Sequence, residues 1–232
     1  MGKGGVGKTT VATQLATALS NKGYRVLLAT TDPTKEINVE TTSNLNTAYI
    51  DEEQALEKYK KEVLATVNDD TPQDDIDYIM EDLKSPCTEE IAFFKAFSDI
   101  MENQDDMDYV IVDTAPTGHT LLLLDSSENH HRELKKKSTQ TTSNVETLLP
   151  KIQNKNLTQM IIVTLAEKTP YLESKRLVED LNRANIGHNW WVVNQSLVTL
   201  NQRDDLFSNK KEDESFWINK IKNESLNNYF VI

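Results

Sequence analysis

The chain has 232 residues, long enough for one large α/β domain with its own core. It carries 37 Asp+Glu against 25 Lys+Arg, a net charge of −12, which is the wrong sign for coating a nucleic-acid backbone, so no nucleic-acid partner is expected. The single cysteine, Cys87, excludes an internal disulfide and a self-contained multi-cysteine metal site; with no secretory signal and no apolar run longer than a few residues, a cytoplasmic location is expected.

The first residues carry the most informative motif. Gly2, Gly7, Lys8 and Thr9 satisfy G-x-x-x-x-G-K-[ST], a phosphate-binding loop that opens a helix. Its glycines let backbone N–H groups converge on an anion without a Cβ in the way. Gly4, Gly5, Val6, Gly7, Lys8, Thr9 and Thr10 are therefore expected to hold the phosphates of ATP, with Lys8 at the β- and γ-phosphates and the Thr9 hydroxyl on Mg²⁺. Residues 9–22 read as the following helix, with Val11, Leu15 and Leu19 near one face and its N-terminus aimed at the phosphates. A buried strand normally leads into such a loop, yet only Met1 precedes it here, so the domain is expected to lack its first strand.

Residues 25–30 form a short apolar run that predicts a buried strand, followed by Asp32 and Pro33. Ligands gather at the carboxyl ends of parallel strands, which makes Asp32 a candidate to orient or activate the attacking water; Asp-Pro turn chemistry is the alternative. Residues 41–48 are polar and turn-like. Residues 51–67 have helical period, with Leu56, Tyr59, Val63 and Val67 near one face; residues 68–75 read as an acidic, solvated loop and 77–84 as a short helical piece.

Ser85 suits an N-cap and Pro86 the first helical position of another helix, with Ala92, Phe93, Ala96, Phe97 and Ile100 as its buried face. That puts Cys87 in the first turn, where the helix dipole favours a thiolate and hence a soft ligand; a small core residue is the alternative. Residues 108–112 form a second buried strand ending in Asp113, the pattern of a Mg²⁺-holding carboxylate.

The basic run 132–137 reads as a solvated helix face. Residues 158–165 predict a strand, and Thr169 and Pro170 with Glu173 begin a helix to about residue 184, with Leu172, Arg176, Leu177 and Leu181 along one side. Residues 190–194 predict the next strand, with Asn194 at its carboxyl end. Residues 201–223 are polar with a helix about 216–221, and 228–232 look like the opening of a last strand.

The stretch Asp113-Thr114-Ala115-Pro116-Thr117-Gly118-His119-Thr120, continuing through the leucines to Asp125, resembles the signature of the arsenite-transporting and tail-anchored-protein-targeting ATPase family. The resemblance runs from the loop to residues 191–196, nearly the whole chain. Lys3, a second lysine at the loop start, resembles the extra lysine of the deviant P-loop class of dimeric ATPases, which implies a reach to the nucleotide of the facing subunit; a solvated loop lysine is the alternative. Residues 85–92 are similar to the C-terminal half of the bacterial arsenical pump-driving ATPases. That likeness implies As(III) or Sb(III) bound by Cys87, with Ser85 and His119; a helix-capping role is the alternative for His119. It further implies that Asn194 binds adenine, although a turn residue would also fit. The Cys-x-x-Cys pair of the targeting relatives is missing, and no Met-rich insert is evident.

The expectation is thus an α/β fold: a doubly wound, mostly parallel sheet with helices on both faces, residues 1–232 forming a single P-loop ATPase domain shortened at both ends. The resemblance implies Mg²⁺-dependent ATP hydrolysis stimulated by arsenite or antimonite, a membrane arsenite efflux protein as partner, and a second ATPase half or a homodimer. The rival readings are a targeting ATPase, a DNA-partitioning ATPase disfavoured by charge, and an inactive fragment.

Overall fold

The computed structural model describes residues 1–30, 39, 42–68, 71–102, 106–113, 150–200 and 205–232, and only the backbone of residues 86, 87, 90, 94, 102 and 205–207. The described residues group into two compact units: Met1–Leu15, Asp113 and Pro150–Ile232 in the first, Ala16–Val112 in the second. Helix α1 (Lys8–Asn21) follows the glycine-rich loop directly.

The second unit is built on strand β1 (Val26–Thr30), buried at all five positions. A strand covered on both faces needs a continuous apolar run, and Val26-Leu27-Leu28-Ala29 supplies one. It lies between β2 (Leu45–Tyr49) and β3 (Tyr109–Asp113), the latter contributing its last residue to the first unit. β1 and β2 are parallel, with Val26 opposite Leu45 and Thr30 opposite Tyr49. Arg25 ties β1 to the start of β3. Its backbone N–H donates to the Asp108 carboxylate at 2.7 Å, and the Asp108 N–H donates back to the Arg25 carbonyl at 2.8 Å.

The turn-like reading of residues 41–48 is corrected by β2. Only Leu45 of this strand is buried. Its backbone finds partners on β1, so pairing supplied from elsewhere in the chain overrides a locally polar sequence.

Helix α2 (Glu52–Leu64) is capped by Asp51, whose carboxylate accepts from the Gln54 N–H at 3.0 Å. Helix α3 (Gln73–Asp82) starts earlier than its sequence suggests, inside the stretch read as acidic loop. Helix α4 (Pro86–Glu102) begins where Ser85 and Pro86 predict. It packs against α2, and Lys58–Asp99 at 3.1 Å and Lys95–Glu62 bridge the two helices. Of the expected α4 face only Ala92 is fully buried, joined by Ile91, Thr88 and Ser98, while Phe93, Ala96, Phe97 and Ile100 are half-buried.

The first unit runs β4 (Ile161–Thr164), α5 (Lys168–Arg183), β5 (Trp190–Val193), a 3₁₀ turn (Leu197–Thr199), α6 (Asp205–Glu224) and β6 (Tyr229–Val231). The strands are parallel in the order β4-β5-β6, with Ile162 opposite Trp191 and Val192 opposite Phe230. Strand–helix–strand connections of this kind require α/β architecture, as the sequence implied. α5 buries Pro170, Tyr171, Ser174, Leu177, Val178 and Leu181, a helical stripe displaced from the predicted one: Leu172 is exposed. α6 is longer than the segment predicted about residues 216–221.

Met1 joins this sheet by one residue. Its α-amine donates to the Ile161 carbonyl at 2.6 Å and its carbonyl accepts from the Val163 N–H at 2.7 Å, the pattern of a parallel ladder along β4. No helix among the described residues is long and apolar enough to cross a membrane.

Candidate functional site

The glycine-rich loop of residues 2–7 packs against β4, β5 and Asn194. Gly2 lies so close to β4 that a Cβ would stand 2.1 Å from the Val163 carbonyl oxygen, which leaves room for glycine alone. Val6 is buried in a cluster with Val163 and Val192, so one loop side chain packs onto β4 and β5 together. Gly7 has φ +86°, and a Cβ there would meet the Asn194 amide nitrogen at 2.1 Å. The Gly7 carbonyl accepts the Val11 N–H at 3.0 Å, so α1 begins at once and presents its N-terminal N–H groups at the loop. Gly4, Gly5 and Thr10 are exposed.

Lys8 is buried, with Nζ donating to the Lys3 carbonyl at 3.1 Å. The Thr9 hydroxyl donates to Oδ2 of buried Asp113 at 2.5 Å. Two hard oxygen donors thus stand side by side at the start of α1. This fits Mg²⁺, which takes one or two protein oxygens and fills its octahedron with phosphate oxygens and water. Among the described residues no group of three or more His, Cys, Asp or Glu could hold a metal ion. The Met1 α-amine lies within the electrostatic reach of this pair. Burial holds its pKa down from 8.0 to about 5; Lys8 pushes the same way and Asp113 opposes.

Asn194 is buried at the end of β5. Its Nδ2 donates to the Val6 carbonyl at 2.9 Å and its Oδ1 accepts from the Gln195 N–H at 2.9 Å. Gln195 has φ +58°, so the chain turns sharply here. Glu214, a buried carboxylate of α6, accepts from Ser196 Oγ and from the Leu197 N–H, each at 2.8 Å, and holds the turn from behind.

Lys3 is half-buried, with Nζ 3.7 Å from Oε1 of Glu173 on α5. The fold therefore brings together Lys3, Lys8, Thr9, Asp113 and Asn194, which the sequence singled out. It adds Glu173, which the sequence used only as a helix-start signal, and Glu214 and Ser196, to which the sequence gave no role of their own. Ser85 is half-buried ahead of α4 in the second unit. Cys87 falls in the first turn of α4, its side chain outside the described set, and Asp32 and His119 lie outside the described residues.

The profile of the anion-transporting ATPase family matches residues 1–149 and 127–230. The chain is 40% identical over 228 residues to the arsenical pump-driving ATPase of Acidiphilium multivorum, covering 97% of this chain and 39% of that protein. It is 32% identical over 261 residues to a putative arsenical pump-driving ATPase of Aquifex aeolicus, covering 87% of that protein, and 27% identical over 248 residues to the ATPase GET3 of Scheffersomyces stipitis, covering 71% of it. The chain spans 39% of the length of the first of these relatives. With a profile match across nearly its full length, the chain belongs to the anion-transporting ATPase family.

Proposed function

We propose that the chain is one nucleotide-binding half of an ATPase whose hydrolysis responds to arsenite or antimonite and energises metalloid efflux through a membrane partner. The observation that carries the nucleotide part is the 2.5 Å contact of Thr9 with Asp113, beside buried Lys8 at the first turn of α1. A helix N-terminus, a lysine and a hydroxyl–carboxylate pair at one point are what a nucleotide triphosphate with its magnesium requires.

In this reading Gly4 to Thr10 hold the phosphates, and Lys8 exchanges the Lys3 carbonyl for β- and γ-phosphate oxygens. Thr9 and Asp113 hold the magnesium ion, which when bound offsets charge on the transferring phosphoryl group. Asp32 orients the water for in-line attack, and Lys3 reaches the nucleotide of a second half or second copy. Cys87, with Ser85 and His119, binds As(III) or Sb(III). One thiolate leaves such a site incomplete, so a second half or copy supplies the rest, and binding favours the closed arrangement in which hydrolysis proceeds. The names of the arsenical pump-driving relatives support this assignment, as does the sequence likeness about Cys87.

The test is ATP hydrolysis by the purified chain with and without antimonite, repeated with Cys87→Ser. Stimulation that disappears in the variant supports the reading. Hydrolysis without stimulation moves the assignment toward the function of the ATPase GET3 relatives. A folded chain that neither binds nor hydrolyses ATP sinks it.

A further inference from the structure

We propose that α3 is a docking surface for a basic amphipathic segment of a protein partner, the chemistry of a membrane protein's cytoplasmic loop. The inference deepens the proposed function. Its choice of a membrane protein as partner rests on that reading, while the surface itself does not.

Helix α3 is amphipathic without being buried. Ile76, Ile79, Met80 and Leu83 recur at i, i+3, i+4 and i+7, a spacing that puts them on one helical stripe. Leu83, at the C-cap, is buried and Ile76 and Ile79 are half-buried, but Met80 is 43% exposed. Tyr78, on a second face, is 57% exposed. None of the ten helical residues is fully buried. A helix in a soluble domain gains most of its stability by covering such a stripe, and this one leaves part of it open.

The stripe lies between two acidic rims. Helical spacing puts Asp75 and Asp82 along one side and Asp77 and Glu81 along the other. With Asp74 these acids make up half of the helix, which holds no basic residue. Among the described residues none of the five forms an ion pair. The neighbouring lysines are engaged elsewhere: Lys58 with Asp99, Lys61 with Glu57 and Lys95 with Glu62. The negative field reaches α2, where burial raises the pKa of the Tyr59 phenol and Asp82 and Glu62 raise it further.

Helix stability does not account for this charge. Asp74 and Asp75 suit the positive N-terminal end, but Glu81 and Asp82 stand at the other end, where the helix dipole disfavours acid. Asp77 and Glu81 repel each other as a like-charged i,i+4 pair. A segment that brings cations to both rims and an apolar edge to Met80 relieves the repulsion and covers the stripe together. An amphipathic helix with Lys or Arg beside leucines has that chemistry. The cytoplasmic loops of membrane proteins are enriched in Lys and Arg. An anionic lipid surface is the opposite case, because it repels these carboxylates.

The experiment measures binding of a synthetic Lys-Leu amphipathic peptide to the full chain by fluorescence anisotropy, at about 0.05 M and about 0.15 M salt. A peptide with glutamate in place of lysine and phosphatidylglycerol vesicles are the contrasting probes. One variant combines Asp75→Asn, Asp77→Asn, Glu81→Gln and Asp82→Asn. A control removes the same charge from exposed positions elsewhere, with Glu52→Gln, Glu53→Gln, Glu179→Gln and Glu212→Gln. The α3 variant is expected to weaken the Lys-Leu peptide by about tenfold or more, and Met80→Ser by about threefold. The control should stay within about twofold of wild type. The peptide should slow amide exchange at residues 73–83 in wild type and control alone. Equal weakening in the α3 variant and the control reduces the effect to net charge and overturns the inference. So does a wild-type chain that ignores the Lys-Leu peptide, or that binds the glutamate peptide or the vesicles as well. The α3 variant should melt no lower than wild type, because it loses repulsion; a lower midpoint makes the acids structural and also overturns it. Binding at α3 by a chain that hydrolyses no ATP sinks the proposed function and leaves the docking surface standing. Antimonite-stimulated hydrolysis without peptide binding does the reverse.

Discussion

The ammonium of Lys3 stands 3.7 Å from the carboxylate of Glu173, a residue 170 positions later on α5. The lysine that the resemblance assigns to a facing nucleotide is thus paired within its own chain. Both side chains are more than a third exposed, so the pair contributes at most about 1 kcal/mol to stability and is screened by salt. A contact this weak is readily exchanged for a phosphate.

Glu173→Gln should therefore leave the melting temperature nearly unchanged while freeing Lys3. If Lys3 serves a second half or copy, hydrolysis by the variant should reach its plateau at lower protein concentration than wild type. Activity plotted against protein concentration checks this; superimposable curves remove Glu173 from the cycle.

Thr9 and Asp113 should be separable from nucleotide affinity. Asp113→Asn keeps the shape and a hydrogen-bonding oxygen near Thr9 but removes the charge proposed to hold magnesium. Hydrolysis at saturating ATP should fall roughly a hundredfold, the loss of several kcal/mol of charge stabilisation, with metal-free ADP binding close to wild type. Magnesium titrations of both proteins measure it. Equal magnesium dependence would count against a metal role for Asp113.

The glycines of the loop should differ sharply from one another. Gly2→Ala drives a Cβ to 2.1 Å from the Val163 carbonyl, backbone that cannot yield, and is expected to destabilise by about 3 kcal/mol or more. Gly23→Ala meets nothing within 4 Å and has only its φ of +91° to strain, so a cost of about 1–2 kcal/mol is expected, with no effect on nucleotide binding. Urea unfolding of the two variants tests the order.

Stability should rise as pH climbs through the histidine range. Burial holds the His188 imidazole below its usual value, so the unfolded chain binds a proton that the folded chain does not, and the penalty is complete on the acid side and gone on the basic side. Denaturant midpoints at pH 5.5 and 8 measure the slope, and His188→Gln should flatten it.

Much of the site was legible because its parts are local. Glycine spacing with Lys8 and Thr9 specifies a loop and the start of a helix by steric and dipole arguments that need no distant partner. The apolar run of β1 announces burial through composition alone, whereas the strand ending in Asp113 forms as expected but buries only Asp113, its Val110, Ile111 and Val112 staying half-buried. The likeness that marked the family also lay in contiguous residues.

What stayed hidden depends on residues far apart in the chain. The polar sequence of β2 becomes a strand only because β1 offers its hydrogen-bonding edge. Met1, a single residue, becomes part of a sheet because β4, more than 150 residues later, presents a carbonyl and an N–H at the right spacing. Asn194 reads as a strand-end residue in the sequence; its hold on the Val6 carbonyl, and the grip of Glu214 behind it, come from packing β5 and α6 around the loop. The sequence by itself determined the glycine-rich loop and the helix that opens at Lys8, and named the groups proposed to bind phosphate and magnesium, because those features are written in short motifs. The tertiary structure alone decided which carbonyls and ammonium groups those residues hold in the folded chain, because a buried hydrogen bond is chosen by whatever the fold places within reach.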